Sequence, residues 1–404
     1  MTPTFTSPDA ALAALLDRLR PVETESVGLP HAAGRTLARP VTTDRPSPPC
    51  DVSAMDGYAV RLADMAARGG EIPVAGEALI GRPPATLEPA TVLRVFTGAP
   101  VPAGAEAIIP REAVQELGDR IRVPAGLNVP AGQYIRCAGE NAPAGETVLP
   151  AGALLTPAAL AAAASFGAGR LVVHRRLRVA VLVTGDELRS AEESVEPWQI
   201  RDANGPALAA FLAALPWVER HGATGLHTRR VADDLPAIEA ALAEALAAAD
   251  VVLVTGGVSV GRYDHVPEAV RRAGAEVVFH GLPMRPGKPV LAAVGPRGQA
   301  VFGLPGNPQA VLVGSRRLVL PALAQRAGLA ACPPPEIVKV VEPDARTLDL
   351  WWFRPAQRAG PGRVALVPSV GSGDVVAAAR SDGFIELPPG ASGPGPWAFY
   401  AWNA

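Results

Sequence analysis

The second half of the chain alternates continuous apolar runs with segments of helical composition. The runs VAVLV at 179–183 and VVLV at 251–254 have the length and apolar character of buried strands. Strands that alternate with helices at this spacing predict βαβ units and a parallel, doubly wound sheet. The predicted helical segments are 202–215, 233–249 and 264–274, and a further strand at 301–304 leads into another helix.

Capping residues mark where these helices begin. We expect the helix in 202–215 to start at Asp202 or Asn204 and the helix in 233–249 to be capped by Asp233. The helix after 301–304 is predicted to have Asn307 as its cap and Pro308 in its first turn. At the start of the chain, Ser7 followed by a proline predicts an amphipathic helix, and Thr156-Pro157 predicts a short one that Gly167 ends.

The first half has a different pattern. From Pro40 to about Val148, brief apolar runs are separated by Gly/Pro turns, which is typical of an irregular, mostly β domain. After Gly328, a CPPPE hinge precedes short apolar runs that predict a small β domain. The strands expected in the first half are Tyr58–Val60, Val92–Phe96, Ile108–Pro110 and Ile121–Val123.

Three polar, glycine-rich segments follow predicted strands: TGDE, TGGVSVGRYD and GLPGNP. Ligands of open α/β sheets bind outside the carboxyl ends of the strands, so we expect these tips to form a pocket. Gly256, Gly257 and Gly261 would let backbone N–H groups approach a phosphate, and Ser259 would add a hydroxyl. The alternative is an ordinary strand-to-helix turn. A Walker lysine and a GxGxxG spacing are both absent.

Acidic residues accompany these glycines. Asp264 precedes a predicted helix and could act only as its cap, and Asp186 and Glu187 occupy another tip where a cap would explain one of them. Carboxylates beside a phosphate site repel the ligand unless a divalent cation lies between them, so the set predicts Mg²⁺. Arg285 and Lys288 flank a Pro-Gly turn and would face an oxyanion, with a solvated turn as the alternative.

Bulk composition narrows the class of protein. A chain of 404 residues predicts two to four domains, and a net charge of −2 argues against binding to nucleic acid or an anionic membrane. Three separated cysteines fit a reducing compartment and exclude a disulfide framework. The N-terminal segment lacks the pattern of a signal peptide, so we expect a cytoplasmic protein without membrane association.

Taken together, these motifs resemble the molybdopterin molybdenumtransferase family (MoeA, with the E domain of gephyrin among its eukaryotic relatives). The similarity extends over nearly the whole chain and is highly specific as a set. It rests on PPCDVSAMDGYAV at 48–60, FTGAPVPAGAEAIIP at 96–110, IRCAGEN at 135–141, VTGDEL at 183–188, TGGVSVGRYDHV at 255–266, RPGKP at 285–289 and GLPGNP at 303–308.

The resemblance implies a multidomain α/β and β architecture. Its expected parts are an elongated domain (1–44 and 141–172), an inserted irregular β domain (45–140), a central doubly wound α/β domain of MogA type (173–328) and a C-terminal β-barrel (329–404). Family members are dimers whose active site lies between the central domain of one subunit and the inserted domain of the other. Asp56 and Thr97 are therefore expected to reach across the interface to the TGGVSVG loop.

The implied reaction converts adenylylated molybdopterin and molybdate into molybdenum cofactor and AMP, with Mg²⁺; the motifs do not distinguish molybdate from tungstate. The expected catalytic residues are Asp56, Thr97, Glu187 and Asp264, and Asp56, Glu187 and Asp264 are the expected metal ligands. The expected binding residues are Arg136, Asp233, Gly256, Gly257, Ser259, Gly261, Arg285, Lys288, Pro305, Gly306, Asn307 and Pro308.

The chain departs from the family pattern at several positions. Asn141 stands where aspartate is usual, Arg285 and Gly281 where lysines are found, and Ala310 where serine is common. The segment GSGDVVAAARSDG keeps Ser372 but lacks the hydroxyls that usually follow. These losses bear on the molybdate step more than on the pterin step.

Two other functions stay open on the sequence. One is adenylylation of molybdopterin by a MogA-type domain, which lacks the flanking domains present here. The other is a non-catalytic carrier or scaffold of the gephyrin type, which would have no reason to keep the four expected catalytic residues. The expected partners are pterin and oxyanion substrates, a second copy of the chain and, as a candidate, a molybdopterin adenylyltransferase.

Overall fold

The computed structural model describes residues 4–67, 70–220, 227–259, 261–262 and 264–403. The chain forms two compact units. The larger unit comprises Met1–Arg39, Ala151–Leu160 and Arg170–Ala404, and the smaller unit comprises Pro40–Pro150 and Ala161–Gly169. The smaller unit contains the segment 45–140 that we expect to form the inserted domain. The finer division into four domains stays a prediction.

A six-stranded sheet is the centre of the smaller unit. All four strands expected from its apolar runs are present, with ends that differ by one residue, because alternate side chains such as Tyr58, Ile72 and Ile109 fill one core. Its strands, in spatial order, are Ala107–Pro110, Gly57–Val60, Val92–Val95, Glu71–Ala78, Arg120–Arg122 and Gln115–Glu116. The remaining elements are helix Leu62–Ala67 and the strand pairs Val41–Thr42 with Thr147–Leu149 and Val52–Ser53 with Ile135–Arg136.

Two helices begin at the predicted caps. Helix Pro8–Leu16 begins after Ser7, whose Oγ accepts a hydrogen bond of 3.1 Å from the N–H of Ala10. The hydroxyl of Thr156 caps helix Pro157–Ser165 in the same way, and Gly167 follows it with a φ of +76°. Strand Thr24–Gly28 pairs antiparallel with strand Arg170–His174.

A mixed six-stranded sheet forms the central layer of the larger unit. Its spatial order is His227–Val231, Val179–Thr184, Val251–Thr255, Ala300–Leu304, Leu291–Val294 and Glu276–His280. The first four strands are parallel, as predicted. Leu291–Val294 runs antiparallel to both neighbours, so the prediction of a parallel sheet is wrong there. A tight turn, in which Gly295 N–H donates to the Gln299 carbonyl at 2.8 Å, joins it to Ala300–Leu304 as a hairpin.

Helices cover both faces of this sheet. Val181 and Val183 pack into a core shared with the N-terminal helix, whereas Ala180 and Leu182 pack against helix Leu235–Ala248. Burial on both faces explains why the strands are continuous apolar runs without alternation. The helices of this layer are Asn204–Ala213, Leu235–Ala248, Val266–Arg272, Pro308–Gly314 and Leu320–Arg326, with a π-helical turn at Ser315–Val319.

One of the predicted caps is shifted by one residue. Asp234, not Asp233, caps helix Leu235–Ala248 by accepting from the Ala237 N–H at 2.9 Å. Helix Asn204–Ala213 begins at Asn204, one of the two predicted starts, and Asp202 accepts from the Gly205 N–H at 2.9 Å. Adjacent aspartates offer equivalent caps in the sequence, and only the path of the backbone selects one of them.

The C-terminal residues form the predicted barrel. Its five strands are Glu336–Val340, Trp351–Arg358, Arg363–Leu366, Gly383–Leu387 and Trp397–Ala401, and pairing of the second with the fourth closes the ring. Strand Met284–Arg285 pairs with Trp351–Arg358 and so extends this sheet. Helix Val375–Ala379 lies in sequence between the third and fourth barrel strands. Outside the barrel, strand Leu188–Arg189 pairs with Ile200–Arg201. Among the residues that the structure describes, every helix is too short or too polar to cross a bilayer.

Candidate active site

Four parallel strands of the larger unit end at one edge of the sheet. Their tips are Thr184–Leu188, Val231–Asp234, the segment from Thr255 to Asp264, and Leu304–Pro308, and we call this set the strand-tip site. The strand order places the second tip beside the first, the first beside the third and the third beside the fourth. The three polar tips identified in the sequence are therefore neighbours, and a fourth tip carrying Asp233 joins them.

Glycine is required at position 256 because the first and third tips approach each other closely there. Its φ is +87°, and a Cβ atom there would lie 2.5 Å from the carbonyl oxygen of Thr184 and 2.7 Å from its hydroxyl. A Cβ on Gly306 would lie 3.8 Å from the Cα of Gly256, so the third and fourth tips also approach closely. The close approach expected of this glycine is thus an approach to protein backbone.

Asp264 shapes the glycine-rich loop. One carboxylate oxygen accepts from the N–H of Ser259 at 3.0 Å and the other from the N–H of Gly261 at 2.8 Å. Helix Val266–Arg272 has His265 at its N-cap, so the interpretation of Asp264 as a helix cap is wrong. Gly261, one of the glycines expected to bring backbone N–H groups to a phosphate, therefore donates its N–H to Asp264 instead. Val260 and Tyr263 of this loop lie outside the described residues.

Aspartates of two neighbouring tips are in direct contact. The N–H of Asp233 donates to Asp186 at 3.1 Å, and Asp186 lies in a turn that leads into strand Leu188–Arg189, so it is not the helix cap that the sequence allowed. A Cβ on Gly257 would lie 3.4 Å from Oδ1 of Asp233, which places this carboxylate against the glycine-rich loop. That oxygen is buried and has no hydrogen-bond partner among the described residues.

The charge balance of this cluster is negative. Burial raises the pKa of Asp233, and the carboxylates of Asp186, Glu187 and Asp264 raise it further, against a lowering by His265. Within the described ranges, no group of three or more His, Cys, Asp or Glu side chains is arranged to hold a metal by itself. Mg²⁺ commonly takes one or two carboxylates plus water and substrate oxygens, and the cluster with its unpaired buried oxygen fits that mode.

The GLPGNP tip is bonded to a segment of the barrel region. The side-chain amide of Asn307 donates to the Ser372 hydroxyl at 2.8 Å, and the N–H of Gln309 donates to the Ser372 carbonyl at 3.1 Å. Asn204 donates to the carbonyl of Gly306 at 2.8 Å and so fixes the other side of the tip. The first turn after Asn307, expected to bind an anion, therefore already receives a carbonyl oxygen.

A cationic cavity of about 340 Å³ lies next to this contact. Arg346 and Arg354 both bond Asp344, whereas Arg285 has no ion-pair partner among the described residues. Sequence reasoning missed Arg354, although a charged residue inside the apolar run WWFRPA was a usable signal. The lining includes Arg285, Gln309, Arg346, Arg354, Ser369 and Ser372. Lys288 is exposed and does not line the cavity.

The smaller unit brings Asp56 and Thr97 together. Oδ1 of Asp56 accepts from both the N–H and the hydroxyl of Thr97, each at 2.7 Å, and these two bonds lower the pKa of Asp56. The glycine of SAMDG is structural, because a Cβ on Gly57 would lie 2.0 Å from the carbonyl oxygen of Ile109 in the adjacent strand. The strand pairing that starts at Gly57 and the two bonds from Thr97 thus hold Asp56 in place.

Arg136 is engaged within the smaller unit. It forms an ion pair with Glu140, and its guanidinium donates to Oδ1 of Asn141 at 2.8 Å. Asn141 in turn donates to the Ser47 hydroxyl at 3.2 Å. The amide thus still accepts from the arginine, although it brings no charge.

The remaining departures lie in the larger unit. Gly281 has a φ of +88°, a region in which a lysine would be strained, and Ala310 is 1% exposed on helix Pro308–Gly314. Glycine at 281 is therefore suited to its local backbone.

Two family models match the chain. Residues 6–167 match the MoeA N-terminal region (domain I and II), and residues 180–325 match a probable molybdopterin binding domain. These matches, together with the two units and the barrel, define a protein of the multidomain MoeA class.

Relatives and a solved structure of the same class are similar to this chain. The chain is 38% identical over 326 residues to a molybdopterin molybdenumtransferase of Nostoc sp., covering 79% of this chain and 73% of the relative. It is 35% identical over 308 residues to the protein of that name from Bacillus subtilis, covering 74% and 70%. The crystal structure of the molybdopterin biosynthesis moeA protein from Pyrococcus horikoshii OT3 is similar with a TM-score of 0.80 and 27% identity, over 98% of this chain and 99% of that one. The chain belongs to the molybdopterin molybdenumtransferase family.

Proposed function

We propose that the protein is a molybdopterin molybdenumtransferase that inserts molybdate into adenylylated molybdopterin and releases AMP in molybdenum cofactor biosynthesis. The observation that carries this proposal is the strand-tip site, where Asp233 has a buried oxygen without a partner and three other carboxylates raise its pKa. A site with this excess of negative charge suits a substrate whose phosphates arrive with a cation. Relatives named for the same transfer support the assignment.

We propose Mg²⁺ as that cation, with Glu187 and Asp264 of one subunit and Asp56 of a second subunit among its ligands. Bound there, the cation would neutralise charge on the phosphoanhydride and on the leaving AMP. Thr97 fixes the carboxylate of Asp56 through two hydrogen bonds and leaves its other oxygen available to the cation. Asp186 and Asp233 add negative charge that favours cation binding.

The remaining predicted residues fall into a group that would bind the phosphates and a group that would bind the molybdate oxyanion. Gly256 and Gly257 shape the backbone beside the phosphates, with Ser259 and Gly261 bonded to Asp264. Arg285 and Lys288 would attract molybdate, and the cavity next to Ser372, lined by Arg285, Arg346 and Arg354, has the charge to hold it. Pro305, Gly306, Asn307 and Pro308 form the tip between these two parts of the site.

The two alternative functions are less well supported. A MogA-type adenylyltransferase has no counterpart of residues 6–167, which match the MoeA N-terminal region in this chain. A scaffold has no need for a carboxylate cluster with an unpaired buried oxygen. We also propose a cytoplasmic homodimer that receives its substrate from a molybdopterin adenylyltransferase. Sedimentation of the purified chain tests the dimer, and a monomer would remove Asp56 from the site.

The test is a reconstitution with purified protein, adenylylated molybdopterin, Mg²⁺ and molybdate. We expect release of AMP together with cofactor that activates a molybdenum-free acceptor enzyme. A reaction without molybdate is the control for hydrolysis alone. Tight pterin binding without AMP release, even at high molybdate, would instead identify a carrier.

A further inference from the structure

Two adjacent arginines in the larger unit have opposite surroundings. Arg316 and Arg317 lie in the π-helical turn Ser315–Val319 and are 9% and 5% exposed. Arg317 makes two hydrogen bonds to Glu386, from Nε at 2.8 Å and from Nη2 at 3.1 Å. Arg316 donates only from Nε, to the carbonyl of Ala401 at 3.0 Å, and it has no ion pair within the described part of the chain. π-Helical turns often occur at functional sites.

Arg316 has no counter-ion among the described residues, and its guanidinium carbon lies 5.6 Å from the centre of the Tyr400 ring. The groups closest to it in electrostatic terms are the Cys332 thiol and the Tyr400 phenol, and burial raises the pKa of both, so both are neutral at pH 7. Burial also lowers the pKa of Arg316 itself. A buried guanidinium without a counter-charge is costly, and a protein that keeps one commonly uses it to bind an anion.

Arg316 lines a cavity of about 240 Å³ between helix Asn204–Ala213 and the end of the barrel. Two aromatic side chains, Phe211 and Trp402, and the apolar residues Leu208 and Leu312 form much of the remaining wall. The terminal nitrogens of Arg316 have no hydrogen-bond partner in the described ranges, so the two-pronged end of the guanidinium is available.

We propose that this cavity binds a small organic carboxylate, with the carboxylate on the terminal nitrogens of Arg316 and an apolar body between Phe211 and Trp402. A planar bidentate contact matches the geometry of arginine, and the aromatic walls fit a flat hydrocarbon portion. The cavity is separate in its residues from the strand-tip site and from the cavity that Arg285 lines. The proposal therefore goes beyond the molybdenum transfer proposed above.

The probe is 4-fluorobenzoate, followed by ¹⁹F NMR line broadening with the full-length protein. We expect saturable binding with a Kd on the order of 1 mM, as is usual for so small a ligand. The matched probe is 4-fluorobenzamide, which has nearly the same shape without the charge, and it should bind at least about tenfold more weakly. Absence of binding by the benzoate, or equal binding of both probes, would overturn the proposal.

Two variants locate the binding. Arg316→Met removes the charge at similar length, and Ala210→Phe narrows the cavity, which Ala210 lines, while leaving Arg316 in place. Each should weaken 4-fluorobenzoate binding at least about tenfold, with the release of AMP in the transferase assay unchanged. If Arg316→Met does not fold, the Ala210→Phe variant decides the question alone. Binding as tight as that of the wild-type protein in either folded variant would contradict the proposed site.

Discussion

Asp56 and Asp233 are two carboxylates of the proposed active site, and the protein holds them in opposite ways. Asp56 is exposed, and two hydrogen bonds from Thr97 lower its pKa. Asp233 is half-buried, has an oxygen without a partner, and its pKa is raised by burial and by three neighbouring carboxylates. The smaller unit thus presents a carboxylate that is already stabilised as an anion, whereas the larger unit presents one whose negative charge is disfavoured by burial and by neighbouring carboxylates.

This difference indicates separate tasks. A carboxylate fixed by hydrogen bonds is ready to position a ligand without reorganisation, since its charge and orientation are set in advance. A cluster of mutually repelling carboxylates is stabilised most by a cation, because the cation reduces the repulsion between charges that are close together in the folded state. The larger unit is therefore the part of the molecule whose stability should respond to Mg²⁺.

The largest effect is expected from Gly256→Ala. The new Cβ would lie 2.5 Å from the Thr184 carbonyl oxygen, at a residue whose φ is +87°. This clash would disrupt the close approach of the two tips that holds the glycine-rich loop near Asp233. Left-handed strain and overpacking together cost about 3 kcal/mol, or roughly 6–10 °C in the melting temperature of the larger unit. Differential scanning calorimetry measures this, and AMP release should be lost.

Gly306→Ala is the matched control, because its Cβ would find its nearest neighbour at 3.8 Å and its φ is not positive. We expect a change of about 0.5 kcal/mol or less. Equal destabilisation by both substitutions would show that the close approach of Gly256 to Thr184 does not require glycine.

Asp264→Asn should reduce AMP release by about 10²–10³-fold while the fold is retained. The amide keeps one acceptor for the N–H of Ser259 or Gly261 and lacks the charge that the proposed cation needs. Asp234→Asn is the control, since asparagine caps a helix as well as aspartate and this residue caps helix Leu235–Ala248. Activity near that of the wild-type protein in Asp264→Asn would make Asp264 a residue that only holds the loop.

The sequence predicted the arrangement of the tips better than their bonding. The parallel strands around Val181 and Val252 were evident because both faces are buried, and parallel strands bring their ends to one edge. The bonds of Asp264 to two loop N–H groups could not be predicted, since they depend on the path of the backbone between them. The choice of Asp234 over Asp233 as the cap depends on the same kind of detail.

Mg²⁺ should raise the melting temperature of the wild-type protein. At ten times its Kd a ligand that binds only the folded state stabilises it by about 1.4 kcal/mol, which corresponds to roughly 3 °C here. The shift should shrink in Asp233→Asn, because the repulsion that Mg²⁺ relieves is smaller without this charge. It should persist in Arg136→Gln, whose charge lies in the smaller unit. An undiminished shift in Asp233→Asn would separate the cluster from cation binding.

The smallest effects come from neutralising the two compared carboxylates and have opposite signs. The raised pKa of Asp233 means that its ionised form costs stability above the folded pKa, and that this cost is absent below the ordinary value of 3.8. Asp233→Asn should therefore raise the melting temperature at pH 7 by roughly 2 °C, with no gain below about pH 4.

Asp56, with a lowered pKa, contributes stability above pH 3.8 that is lost as the pH falls through its folded pKa. Asp56→Asn should lower the melting temperature slightly at pH 7, and melting curves of both variants between pH 3 and 8 measure the two signs. Shifts of the same sign at pH 7 would contradict the contrast between the two units.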